Sequence, residues 1–148
     1  MRWILAGLAV AVTTIWAMTA FAQDGWADHK LALQISDNNP QKMKTVLNVA
    51  ANVTRHYESR GETVDIRIVA FNAGLHMLRQ DTSPVLERLM SFGASMPNVT
   101  FAACENTIAG MTRNEGKAPP IVEIAEHVPA GVVDLITLDE DGWTVIRP

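Results

Sequence analysis

The sequence predicts a small α/β layered domain built on a mostly parallel sheet. Three observations carry that expectation. Short runs dense in branched apolar residues alternate with longer stretches whose apolar positions recur every three or four residues. Turn-forming residues follow the carboxyl end of each predicted strand. A chain of 148 residues, 48% hydrophobic and 19% charged, has room for one such core rather than two.

The chain opens on Met1-Arg2, a long apolar stretch from Trp3 to Ala17, and then Ala20-Phe21-Ala22, the small-x-small form of a signal peptidase site before Gln23. A cleaved export signal over 1–22 is expected. The competing reading is a single membrane anchor, since about 20 apolar residues can span a bilayer, so contact with a membrane is expected only if the signal stays on. Cleavage removes Arg2 and moves the net charge from -4 to -5. Residues 23–29 read as a flexible leader and 30–148 as the folded domain. Acidic and basic residues are mixed along the chain, and the acidic excess excludes a binder of nucleic acid backbones.

Lys30 to Ser36 forms the first strand, with Leu31, Leu33 and Ile35 on one face. Asp37-Asn38-Asn39-Pro40 supplies turn residues, a cap and a proline suited to the first helical turn, so a helix starts there and runs to about Ser59. Thr63 to Phe71, rich in Val and Ile, is the central strand. Asn72-Ala73-Gly74 ends it, a short helical turn follows through Leu78, and Asp81-Thr82-Ser83-Pro84 starts a helix from Val85 to about Ser91. Val99 to Ala103 is the next strand, and Cys104-Glu105-Asn106 leads into a helical turn from Thr107 to Arg113. Asn114 to Pro120 reads as the most mobile loop. Ile121 to Ala125 continues a helix, Glu126 to Val128 is a brief strand, and Gly131 to Leu138 is a helix or a strand that periodicity does not decide. Asp139 to Gly142 is a turn before a final strand, Trp143 to Arg147.

In parallel sheets the ligand site lies beyond the carboxyl ends of the strands. That rule gathers Asp37 to Asn39, Asn72 to His76, and Cys104 to Thr107. Cys104 is the only cysteine in the chain. Paired-thiol and thiolate-zinc chemistry both need a second one, so Cys104 is either an inert packing residue or a group that reacts outside its own chain. Helix-start N–H groups lower a thiol pKa, whereas the neighbouring Glu105 raises it. His76 is either an acid–base group or a simple hydrogen-bonding histidine. Asn72, Asn106 and Thr107 either orient a ligand or cap turns, and Gly74 permits a close backbone approach. His29, His56, His76 and His127 show no tight ligand spacing, so neither a metal nor a resident cofactor is expected. The dinucleotide fingerprint Gly-x-Gly-x-x-Gly is absent, as is a serine-nucleophile motif.

Four segments together resemble the DsrE/DsrF-like family of small α/β proteins related to sulfur relay. They are Ala70-Phe-Asn-Ala-Gly74-Leu-His-Met-Leu78, Phe101-Ala-Ala-Cys-Glu-Asn-Thr107, Val128-Pro-Ala-Gly-Val132 with Leu135-Ile136, and Gly142-Trp-Thr-Val-Ile-Arg-Pro148. The resemblance implies a flavodoxin-like fold, frequent homo-oligomers, and a persulfide carried transiently on Cys104 between a sulfane sulfur donor and a thiol acceptor. Glu105 stands where many relatives have glycine. The expected function is a periplasmic, or otherwise exported, sulfur-binding or sulfur-relay protein. The alternative is a noncatalytic binding or assembly module in the same compartment.

Overall fold

The computed structural model describes residues 27–148. The export signal expected over 1–22, and all but the end of the expected leader, lie outside the described residues. Asp28 and His29 do not behave as leader: the Asp28 carboxylate accepts from the Thr63 N–H and hydroxyl, each at 2.8 Å, and His29 is the first residue of β1.

Five strands form one sheet: β1 (His29–Ile35), β2 (Val64–Ala70), β3 (Val99–Cys104), β4 (Ala125–Val128) and β5 (Thr144–Ile146). All neighbours are parallel, in the order β4-β3-β2-β1-β5, so β2 is central as expected. The helices are α1 (Pro40–Glu58), α2 (Leu86–Ser95), α3 (Glu105–Glu115) and α4 (Gly131–Glu140), with a 3₁₀ segment at Asn72–Leu78 after β2. The layers are those expected of a flavodoxin-like protein, whereas the strand order differs from flavodoxin's 2-1-3-4-5. No helix among the described residues is long and apolar enough to cross a membrane.

The two faces of the sheet are covered unequally. Met43, Val46, Leu47 and Ala50 of α1, Leu89 and Phe92 of α2, and the partly buried Ile108 and Met111 of α3 pack with Leu33, Ile66, Ile68 and Phe101 on one face. The other face carries Ala32, Val69, Ala102 and Cys104, covered by Leu135 and Leu138 of α4. Crossovers of one hand require this division, because the chain advances from β1 to β4 in one direction and returns past them to β5. Adjacent strands β3 and β4 therefore send their helices to opposite faces, which opens a crevice above their carboxyl ends.

Several element boundaries depart from expectation. Helix α2 passes through Gly93, where a Cβ would lie 2.9 Å from the Ile124 side chain, so that glycine serves packing rather than termination. Ile121–Ala125 is not helical. Pro119-Pro120 disfavour a helix there, and the segment's backbone is engaged by the 78–80 stretch: Val122 N–H donates to the Leu78 carbonyl, Gln80 N–H donates to the Pro120 carbonyl, and Arg79 bridges Ile121. Asn114 and Glu115 belong to α3, and Asp139 and Glu140 belong to α4. Gly131 to Leu138, undecided from periodicity, is helical.

Candidate functional site

Cys104 is the last residue of β3 and the residue from which α3 starts. Its side chain lies on the α4 face, with 5% of the residue exposed. A cavity of about 520 Å³ opens over it in the crevice between β3 and β4, walled by Phe71, Asn72, Thr107, Met111, Gly131 and Val132. No lysine, arginine, aspartate or glutamate lines it. A cavity of similar size lies near the opposite ends of β2 and β3, against Thr54 and Asn98, but these two side chains bond each other.

Two helix starts converge on the sulfur. Burial on its own raises the Cys104 pKa. The nearby Thr107 hydroxyl and the backbone N–H groups of Gly131, Thr107 and Asn106 favour the ionised form and outweigh burial, so the thiol is held below its ordinary value, while the Asn106 N–H itself donates to the Pro129 carbonyl at 3.3 Å. Asn106 and Thr107 lie in the first turn of α3, and Gly131 opens α4. The start of α4 is fixed from two sides. Gly131 is pressed against the Phe71 ring, where a Cβ would lie 3.1 Å from two of its carbons. Three residues later, Asp134 accepts from Arg67 Nε at 2.9 Å. Arg67 also bonds Glu126 at 2.8 Å, tying α4 to β2 and β4.

The residues expected at the site separate into two groups. Asn72, Asn106 and Thr107 do gather around Cys104. Asn72 has φ 48°, the one non-glycine residue described with a left-handed backbone, and its N–H donates to Thr107 Oγ1 at 3.0 Å. That bond leaves the Thr107 hydroxyl proton available to the sulfur. Gly74 and His76 do not line the cavity. A Cβ on Gly74 would lie 2.2 Å from the Ile35 carbonyl oxygen, so Gly74 lets the 3₁₀ segment cross the end of β1. His76 Nδ1 is 2.8 Å from Thr82 Oγ1. Glu105 turns outward, 56% exposed, with its carboxylate 3.8 Å from His127 Nδ1; the leading influences on the thiol are burial and the N–H and O–H donors.

Phe71, Met111, Gly131 and Val132 were not expected in the site. The sequence did hold a signal for the last two, the Pro129-Ala130-Gly131 turn before an apolar stretch, but their approach to Cys104 depends on α4 lying on the face opposite α3.

No family model matches the chain, and no curated protein matches it. Its fold is similar to that of a solved structure, the protein of unknown function MTH1491 from Methanobacterium thermoautotrophicum, with a TM-score of 0.69 and 24% identity over 82% of this chain and all of that one. The class defined by fold and site is an α/β layered protein with a thiol at the crevice of a five-stranded parallel sheet.

Proposed function

We propose that this chain is an exported sulfur-binding or sulfur-relay protein of the DsrE/DsrF-like kind, made with a signal cleaved after Ala22, and that Cys104 holds the sulfur as a persulfide. The observation that carries the proposal is the placement of a single buried thiol at the start of α3, beside the start of α4 and beneath an open cavity, where the Thr107 hydroxyl and nearby backbone N–H groups favour its ionised form.

In the proposed reaction the Cys104 thiolate attacks the sulfane sulfur of a donor R–S–SH. A new S–S bond forms at Cys104, the donor's S–S bond breaks, and RS⁻ leaves and takes up a proton. The sulfane sulfur keeps its oxidation level. Release is the same exchange with an acceptor thiolate attacking the outer sulfur, which restores the Cys104 thiolate. An uncharged lining favours a small organic persulfide over a dianion such as thiosulfate, which would enter without a cation to meet it.

The test loads the protein with an organic persulfide, removes excess donor, and adds a small acceptor thiol. The expected result is one transferable sulfur per chain, found on the acceptor and absent with Cys104→Ser. Sulfur that loads but never leaves favours the second reading, a noncatalytic binding or assembly module, which the 5% exposure of Cys104 supports.

A further inference from the structure

Helix α4 is aliphatic on both sides. Leu135 faces the sheet, whereas Val132, Val133 and Ile136 face outward and are 52, 59 and 53% exposed. At helical spacing these three form one stripe, which Asp139 and Glu140 continue toward the carboxyl end. A helix that is apolar all round is ordinarily covered all round. Among the described residues, α4 is the only helix on its face of the sheet, and its outer stripe has no cover.

Charge indicates what fits there. Between Lys117 and Arg147 the chain has carboxylates at Glu123, Glu126, Asp134, Asp139, Glu140 and Asp141 and no lysine or arginine. Arg67 offsets Glu126 and Asp134 from beneath. Asp139, Glu140 and Asp141 form no salt bridge with another described residue, and they sit where the negative end of the α4 dipole already favours a cation.

We propose that the outer face of α4 docks an amphipathic segment of a partner protein. Its aliphatic side chains lie on Val132, Val133 and Ile136, and its lysines or arginines lie roughly 10 Å further along, over Asp139 to Asp141. Val132 also lines the Cys104 cavity, so the aliphatic end of the segment sits at its mouth. That this delivers an acceptor thiol rests on the sulfur-relay reading; the docking does not. A second copy of this chain fits less well. Its remaining exposed large apolar side chains are Met90, Val145 and Ile146. The cations near them are committed, Arg88 over the Phe92 ring and Arg147 to Asp37.

The test uses purified Cys104→Ser protein, which keeps the outcome independent of sulfur chemistry, and two fluorescent helical peptides of one pattern, Leu/Lys and Leu/Glu. The Leu/Lys peptide is expected to bind at least about tenfold more tightly, and less tightly as salt is raised. A Val133→Ser/Ile136→Ser double variant, and separately Glu140→Lys, are expected to weaken binding about fivefold or more with the thermal midpoint unchanged. Equal affinity for the two peptides, or full affinity in both variants, overturns the proposal. So does a stable homodimer that Ile136→Ser converts to monomer, because the face is then occupied by a second copy.

Discussion

At Cys104 burial and hydrogen bonding pull one sulfur in opposite directions, and the balance turns on Thr107. Its hydroxyl oxygen receives the Asn72 N–H, which leaves its proton free to favour the thiolate, so Thr107→Val removes that influence without emptying the space. The rate of alkylation of Cys104 against pH is expected to show a midpoint below that of an unperturbed thiol, and Thr107→Val is expected to move it upward. The sign for stability follows from the lowered value: the ionised thiol adds stability as pH rises through its folded-state pKa, and Cys104→Ser loses that gain. At the same scale Gly74 has no freedom to change. Gly74→Ala drives a Cβ into the Ile35 carbonyl and is expected to cost about 1–3 kcal/mol or more, read as a lower urea midpoint. Cys104, Thr107 and the asparagines were legible in the sequence because their types and their place after a strand suffice. That Glu105 points away was not, because two adjacent residues at a helix start can diverge.

Among the elements, α1 was the most legible. Asn39 Oδ1 accepts from the N–H groups of Gln41 and Lys42 at 2.8 and 3.2 Å, and Pro40 needs no donor partner at the first position. Asn39→Ala is expected to lower stability by about 1 kcal/mol with an unchanged denaturant slope. Helix α4 was the least legible, and for a physical reason. Periodicity reveals a helix only when one side is polar, and Val132, Val133 and Ile136 remove that contrast. The 3₁₀ segment is anchored from a distance by Arg79, which is 3% exposed. Its guanidinium reaches Asp81 Oδ1 and Oδ2 at 2.9 and 2.8 Å and Glu115 Oε2 at 2.9 Å. Arg79 thereby ties the segment bearing Asn72 to the far end of the helix that Cys104 opens. It holds both carboxyls below the usual carboxylate range. Their contribution to stability is therefore present above about pH 4 and lost as pH falls through the lowered values. Arg79→Met is expected to lower the thermal midpoint at neutral pH, and its deficit relative to the parent protein is expected to shrink on acidification to about pH 3.

For the whole molecule, the sequence made the parallel layered architecture legible through its strand and helix periods, and it made β2 central through its continuous branched apolar run. Strand order was not legible. It depends on the return of the chain from β4 to a place beside β1, which no local pattern announces. That return places α4 alone among the described residues on the second face, brings Gly131 to Cys104, and creates the crevice in which the thiol sits. Intact-mass measurement after exposure to an organic persulfide tests the proposed role most directly. A gain of one sulfur atom per chain is expected, reversed by reductant and absent in Cys104→Ser. No adduct across several donors, with a thiol that also resists alkylation in the folded protein, would contradict it.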